Sequence, residues 1–150
     1  MVIEFAFRKA PSYRVAYRMV NGPWNEAKMR AGFHAVSAWA EKNGIATGRW
    51  VIQGGSRGGH LVGIEAGGDA KASGGIRVRT LPASRVAFVV FDPDVVSPEV
   101  IYHGLMDWLR WRKKDGRIRR VVTSREVYEG DPWTDPKAGA RAEVQFVVRP

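Results

Sequence analysis

The sequence repeats itself after 71 residues. The segment APSYRVAYRMV at 10–20 aligns with LPASRVAFVVF at 81–91, and the two share a proline, an arginine, a Val-Ala pair and an aromatic residue in the same order. Further along, Trp39 aligns with Trp111 at an offset of 72, which one inserted residue explains. Self-similarity of this kind predicts two copies of one structural unit that bury their apolar surfaces together.

The two copies show the same order of structural signals. Apolar side chains alternate over 13–19 and again over 86–90, a pattern that is typical of strands. Apolar residues then recur at helical spacing over 29–40 in the first copy and over 101–109 in the second. A glycine follows shortly after each helical segment, as is common where a helix ends.

Two further strands are predicted after each helix. In the first half they lie at about 48–53 and 60–66, and in the second at about 118–128 and 141–148. The strand-helix-strand-strand order, present twice, predicts an α+β fold. In this fold two pseudo-twofold-related repeats form one antiparallel sheet with both helices on one face. A cleft at such an axis is a natural place for a ligand.

We predict one domain over residues 1–150, without cofactor or metal. The first repeat covers about 1–68, a glycine-rich linker about 67–75 and the second repeat about 76–150. The loop QGGSRGGH at 53–60 lacks the glycine spacing of the known phosphate-binding loops. The histidines lack metal-binding spacing; they are His34, His60 and His103.

The composition limits the compartment and the partners. The chain has 24 Lys and Arg against 15 Asp and Glu, a net charge of +9, and no cysteine. The absence of cysteine fits a reducing compartment. No apolar run is long enough to span a membrane, and the first residues lack the pattern of a signal peptide. We therefore expect a cytoplasmic protein without a membrane partner.

Three segments of the second half share features with a known protein family: LPASRVAFVVFDP at 81–93, LMDWLRWRKKDG at 105–116 and SREVYEGDP at 124–132. In these segments the chain resembles the GyrI-like small-molecule-binding domains, which are also the effector-binding domains of bacterial multidrug-responsive transcription activators. The first half keeps APSYRVAYRMVNGPW at 10–24. It departs at 53–60, where the family often has a tyrosine and an acidic, proline-containing turn.

The resemblance implies a cleft between the repeats that is walled by aromatic residues. The glutamate of the Glu-x-Tyr element, here Glu126, would face into this cleft. Many members of the family recognise apolar or cationic compounds. Some stand-alone members are linked to modulation of DNA gyrase, and others resemble hydrolases that open strained cyclopropane rings in genotoxic compounds.

The residues around Glu126 allow two interpretations of its role. Strand alternation places Glu126 and Tyr128 on one face and Arg125 on the other. On a cleft face, the carboxylate would be partly desolvated and could meet a ligand cation. The alternative is a solvent-facing glutamate beside Arg125. The acidic residues that follow, within 129–136, are predicted to belong to a turn.

Further aromatic residues are candidates for the cleft walls. Trp24 and Phe91 lie at the ends of predicted elements, where a cleft rim is plausible. The repeat mates Trp39 and Trp111 could flank the cleft as a twofold-related pair, or they could pack between helix and sheet. Tyr102 lies off the main apolar stripe of its helix, so its ring is a candidate wall as well.

A basic cluster follows the second helical segment. It consists of Arg110, Arg112, Lys113, Lys114, Arg117, Arg119 and Arg120. Such a cluster could hold nucleic-acid phosphates or contact a nucleic-acid enzyme such as gyrase. The alternative is a solvated helix end followed by a hairpin.

Three functions remain open from the sequence. The first is a stand-alone binding module for hydrophobic or cationic drug-like compounds, with Glu126 as the charge partner. The second is a hydrolase that uses the same cleft on strained cyclopropane-containing genotoxins, with Glu126 as general base and Tyr128 as donor. The third is a basic interaction protein that modulates DNA gyrase or binds nucleic acid.

Overall fold

A computed structural model describes residues 3–54 and 58–150 of the chain. The described elements are β1 (Ala6–Ala10), β2 (Tyr13–Val20), α1 (Glu26–Lys42), β3 (Thr47–Gly54), β4 (His60–Ala66), β5 (Arg77–Leu81), β6 (Ser84–Phe91), α2 (Pro98–Lys114), β7 (Arg120–Tyr128), α3 (Pro136–Gly139) and β8 (Ala142–Arg149). Of the predicted loop QGGSRGGH, Gln53 and Gly54 end β3 and His60 starts β4, while residues 55–57 lie outside the described part. No helix in the described ranges is long and apolar enough to cross a membrane.

One antiparallel sheet contains all the described strands, in the order β1-β6-β8-β7-β3-β4-β2-β5. The predicted α+β class is confirmed, and so is the pair of strands after each helix. Each half also begins with a short strand that the sequence pattern did not predict, β1 in the first and β5 in the second. The repeat is therefore strand-strand-helix-strand-strand rather than strand-helix-strand-strand.

The two unpredicted strands cross from one half to the other. β1 pairs with β6, where Ala6 lies opposite Phe88, and β5 pairs with β2, where Arg77 lies opposite Tyr17. The same 71-residue offset relates these two pairs, as expected from a pseudo-twofold axis. Each half thus supplies an edge strand to the other, because a short strand is stable only beside a hydrogen-bonding partner.

Both long helices begin and end where their local sequence favours it. At the start of α1, the Asn25 side chain accepts a hydrogen bond from the Lys28 backbone N–H at 3.0 Å. α2 starts at Pro98, whose missing N–H is no loss in a first turn. A glycine with positive φ follows each helix, Gly44 at 63° and Gly116 at 74°. Glycine adopts this conformation without strain, so the chain can turn back to the sheet.

The two long helices pack on the same face of the sheet. α1 buries an apolar stripe that includes Met29 and Phe33 against β2, β3 and β4. α2 buries Ile101 and its neighbours against β6 and β8. β3 and β7 pair at the centre of the sheet, where the strands that α1 covers meet those that α2 covers. Ile52 lies opposite Glu126 there. The helices therefore flank the two central strands.

We expect the packing of α1 on the sheet to contribute strongly to stability. Phe33 is fully buried, and its ring stacks on Trp50 with the centroids 4.9 Å apart. The substitution Phe33→Ala should lower the free energy of unfolding by about 3–5 kcal/mol, because it removes apolar contacts and leaves a cavity. Urea unfolding measures this change.

A matched control comes from the exposed side of α2. Val100 is exposed, and Val100→Ala should change the free energy of unfolding by less than about 0.5 kcal/mol. Similar costs for the two variants would contradict this assignment of the core.

Candidate functional site

A cleft of about 490 Å³ opens at the centre of the sheet, on the face that carries the long helices. Both halves contribute to it, as the pseudo-twofold arrangement predicts. Its lining residues are Trp24, Ile52, Gly54, His60, Phe91, Pro93, Pro98, Tyr102, Ser124, Arg125, Glu126, Tyr128, Ala142 and Val144. Most of this surface is apolar, and the carboxylate of Glu126 lies within it.

Glu126 is held between two tyrosine hydroxyls. The Tyr102 hydroxyl of α2 donates a hydrogen bond to Glu126 Oε1 at 2.8 Å, and the Tyr128 hydroxyl donates to Oε2 at 3.0 Å. Tyr128 lies two residues along β7, so strand alternation alone places it on the same face. Tyr102 arrives from the helix above. The carboxylate is therefore oriented from two directions by neutral donors.

Arg125 is not the ion-pair partner of Glu126. Although Arg125 borders the cleft, its side chain extends to the opposite face of β7, where its Nε donates to Gln53 Oε1 at 2.7 Å. Within residues 3–54 and 58–150, no lysine, arginine or histidine nitrogen lies within 4.0 Å of the Glu126 carboxylate. The interpretation of Glu126 as a surface residue beside Arg125 is thus not what the geometry shows.

Both tyrosines are strongly biased towards the protonated form. Burial raises the pKa of Tyr102 well above its ordinary value, and the charge of Glu126 and the hydrogen bond to it raise this pKa further. The pKa of Tyr128 is raised for the same reasons in the same order. The two phenols therefore stay hydrogen-bond donors to the carboxylate throughout the physiological range.

Aromatic rings form much of the rest of the wall. Trp24 lies just before α1 and is 52% exposed, with its ring edge-on to His60 at 5.7 Å between centroids. Phe91 ends β6 and is buried against the α2 layer. The structure therefore brings together five of the seven predicted wall residues: Glu126, Tyr128, Trp24, Phe91 and Tyr102.

The repeat mates Trp39 and Trp111 lie outside the cleft, which corrects their predicted placement at its walls. Trp39 is buried on α1, and its indole N–H donates to Ser73 Oγ at 2.8 Å. Trp111 is 65% exposed, with Lys114 Nζ 5.0 Å from its ring centroid. The segment between β4 and β5 packs over Trp39 and buries its ring. Trp39 is therefore buried, whereas its repeat mate Trp111 is exposed.

Several lining residues were missed by the sequence analysis. Ile52 lies opposite Glu126 in the register of the central strands, and His60 starts β4 beside Trp24. Pro93 and Pro98 bracket the turn into α2. Strand alternation in β3 could have indicated that the Ile52 side chain lies on the face of the sheet that carries the helices. The proximity of His60 to Trp24 depends on contacts between distant segments and has no local signal.

The acidic turn after Tyr128 serves as a structural clamp. Asp131 accepts a hydrogen bond from the Trp133 backbone N–H at 2.9 Å and contacts His34 Nε2 at 3.2 Å. Burial raises the pKa of Asp131, but hydrogen bonds from Thr134, Trp133 and His34 outweigh it and hold this pKa below its usual value. The Trp133 indole N–H also donates to Glu26 on α1. The turn is thus tied to α1.

The predicted basic cluster lies at the end of α2 and in the hairpin after it, away from the cleft. Arg110 pairs with Asp107 at 3.2 Å, and Arg112 pairs with Asp115 at 3.5 Å. None of its members lines the cleft. Contact of this cluster with nucleic acid or gyrase stays a prediction. In the described part of the chain, no group of three or more His, Asp or Glu side chains could hold a metal ion.

No protein-family model matches the sequence, and no curated protein matches it. Solved structures do match the fold. The C-terminal domain of EcmrR aligns with a TM-score of 0.77 at 17% identity, over 99% of this chain and 99% of that chain. SAV2435 bound to tetraphenylphosphonium aligns with a TM-score of 0.56 at 14% identity, over 97% of this chain and 94% of that chain.

A third similar structure is a hydrolase encoded by lin2189 from Listeria innocua. It aligns with a TM-score of 0.55 at 9% identity, over 97% of this chain and 91% of that chain. At such identities these likenesses establish the fold alone. The GyrI-like fold that the sequence resemblance implied is thereby confirmed.

The two tyrosines beside Glu126 should resist ionisation. An unperturbed tyrosine has a pKa of about 10, and both of these are raised. Removing either hydroxyl, by Tyr102→Phe or Tyr128→Phe, should therefore leave the rise in phenolate absorbance between about pH 9 and 11 unchanged while the protein stays folded.

The same shift has a consequence for stability. A tyrosine whose pKa is higher in the folded than in the unfolded chain contributes stability that is fully present below its unfolded-state pKa. This stability is lost as the pH rises through its folded-state pKa. The free energy of unfolding of the wild type should hence fall above about pH 10. A smaller phenolate signal in either variant below about pH 11 would contradict the raised pKa of the tyrosine that the variant removes.

Proposed function

We propose that this chain, which has the fold of the GyrI-like domains, binds apolar or cationic small molecules in the central cleft, with Glu126 as their charge partner. One observation carries the proposal. Glu126 lies at the centre of an apolar cleft, and two neutral tyrosine hydroxyls hold it at 2.8 and 3.0 Å with no described cation at its carboxylate.

The electrostatics favour a positively charged ligand. A carboxylate in a half-buried, largely apolar cleft interacts with a charge more strongly than it does in bulk water. The two tyrosine hydroxyls stabilise its charge through hydrogen bonds, but they do not neutralise it. A cation in the cleft would supply the missing opposite charge.

The walls favour a flat or bulky apolar ligand. Trp24, Phe91 and the two tyrosines present aromatic surface around the carboxylate. Aromatic faces attract cations by about 0.5–2 kcal/mol each. The volume of about 490 Å³ lies within the range of pockets for drug-sized compounds. The exposed ring of Trp24 stands at the rim, where a ligand would first meet it.

A similar structure supports this ligand class. SAV2435, which shares the fold, is bound to tetraphenylphosphonium, an apolar aromatic cation. Such a compound combines the positive charge that Glu126 would pair with and the aromatic surface that the walls would contact. We therefore choose tetraphenylphosphonium as the first probe.

The test is a calorimetric titration of tetraphenylphosphonium into the wild type and Glu126→Gln. The substitution keeps the shape of the side chain and removes its charge, so we expect binding to weaken by about tenfold or more. The affinity for triphenylphosphine oxide, a neutral aromatic compound, should fall much less on the same substitution. Equal affinity of both proteins for the cation would refute Glu126 as the charge partner.

Glu129→Gln is the matched control for this titration. Glu129 lies three residues further along, is exposed and does not line the cleft. Its loss should change the affinity for tetraphenylphosphonium by less than about twofold, because exposed charges are well screened. A similar loss in Glu129→Gln and Glu126→Gln would indicate a general charge effect instead of a site.

Hydrolysis in the same cleft is a second candidate. The carboxylate of Glu126 keeps free lone pairs beside its two tyrosine contacts, so it can accept a proton from a water molecule. That water would attack a strained ring carbon and break one ring C–C bond, and a tyrosine hydroxyl would give its proton to the released carbon. The proton taken up by Glu126 would then pass to that tyrosine, which restores both side chains. One structure with this fold is described as a hydrolase, which supports testing the reaction.

Mass spectrometry separates the two candidates. A cyclopropane-containing electrophile is incubated with wild type and Glu126→Gln, and addition of one water to the compound is followed with time. Turnover in the wild type that Glu126→Gln abolishes would establish the hydrolase. Binding of the compound without any turnover is the outcome that we expect from the proposed function.

A further inference from the structure

The helix-free face of the sheet contains a second hollow, of about 510 Å³. It lies between the two halves and behind the central strands. Four arginines line it, and no aspartate or glutamate is among its described lining residues. Strand alternation places three of them on this face, Arg79 of β5, Arg125 of β7 and Arg149 of β8. Arg85 of β6 borders the hollow, while its guanidinium lies over the Phe7 ring on the face that carries the helices.

Arg125 is the buried member of this set. The residue is only 3% exposed, and its Nε donates to Gln53 Oε1 at 2.7 Å. Its terminal Nη1 is also buried and has no hydrogen-bond partner among the described residues. Gln145, which lies opposite Arg125 in the sheet register, does not supply the acceptor, because its own Oε1 is equally without a partner. A buried donor of a charged group is costly when it has no acceptor.

The acids on this face do not neutralise the hollow. Glu65 pairs with Arg49, and Glu143 pairs with Arg8. Arg79 lies over the ring of Tyr17, with its guanidinium carbon 5.5 Å from the centroid. Burial lowers the pKa of Arg125, Tyr13 acts against this, and the charge of Arg79 lowers the pKa further. Positive charge thus accumulates at the hollow, and none of its described lining residues is an aspartate or a glutamate.

We propose that this hollow binds a small molecule that carries a phosphate group. Guanidinium groups donate to phosphate oxygens in parallel pairs, which suits a site built from several arginines. The volume of about 510 Å³ fits a ligand of nucleotide size. Val122, which is 47% exposed, also lines the hollow and offers apolar surface to the remainder of such a ligand.

The two sites lie back to back on one strand. Glu126 faces the aromatic cleft, and the adjacent Arg125 faces the arginine-lined hollow, because successive strand residues point to opposite faces. A cation in front and an anion behind would therefore meet opposite charges of the same strand. The second site is argued from its own contacts and does not depend on the proposed function of the first.

Calorimetric titration of pyrophosphate and of ATP, at fixed ionic strength, tests the site. Binding of either supports it, and tighter binding of ATP assigns a role to the apolar lining. Arg125→Gln should weaken binding by about tenfold or more, as expected for the loss of a charged hydrogen-bond donor. Because Arg125 is buried and its replacement could unfold the chain, the exposed Arg79→Gln is measured as well and should also weaken binding.

Two variants of the distant basic cluster are the controls. Arg110→Gln and Arg117→Gln remove one charge each outside the hollow, so they should leave the affinity within about twofold at fixed ionic strength. Equal losses in Arg79→Gln and Arg110→Gln would overturn the site in favour of diffuse charge. The site would also be overturned if a single-stranded oligonucleotide binds while neither pyrophosphate nor ATP does.

Discussion

The pairing of β3 with β7 is the interaction on which the rest of this structure depends. It joins the four strands of one side of the sheet to the four of the other, in the order β1-β6-β8-β7 and β3-β4-β2-β5. It also places Ile52 opposite Glu126 at the centre. Only one carboxylate therefore occupies this position, and the repulsion that two facing acids would cause is avoided. The helices flank the paired strands, which leaves the cleft between them.

A carboxylate at this position is costly for the fold and useful for binding. Burial of a charge costs free energy in general, and at Glu126 the hydrogen bonds from Tyr102 and Tyr128 act against this cost. Places where local preference and burial disagree are frequently functional. The opposite face of β7 shows the same conflict with the other sign of charge, since Arg125 is buried and its Nη1 has no hydrogen-bond partner in the described part of the chain. Both conflicts lie on one central strand.

The sequence predicted the elements with strong local signals and missed those that depend on distant partners. Alternating or helically spaced apolar residues located the central strands and the long helices, and glycine marked both helix ends. β1 and β5 were missed because they are short and polar. Each becomes a strand only by pairing with a strand of the other half, a contact far apart in the chain. The turn clamp at Asp131 and His34 depends on a distant helix in the same way.

The sequence by itself determined the fold class, the twofold repeat and the shared face of Glu126 and Tyr128. These follow from the period of a strand, which is a local property, and from self-similarity, which a comparison of the two halves of the sequence reveals. The tertiary structure decided that Tyr102 reaches Glu126, that Trp39 is buried while Trp111 is exposed, and that Arg125 lies in a second hollow. Strand alternation determines on which face of the sheet a side chain lies, whereas its neighbours on that face come from segments far apart in sequence. Packing alone brings those segments together.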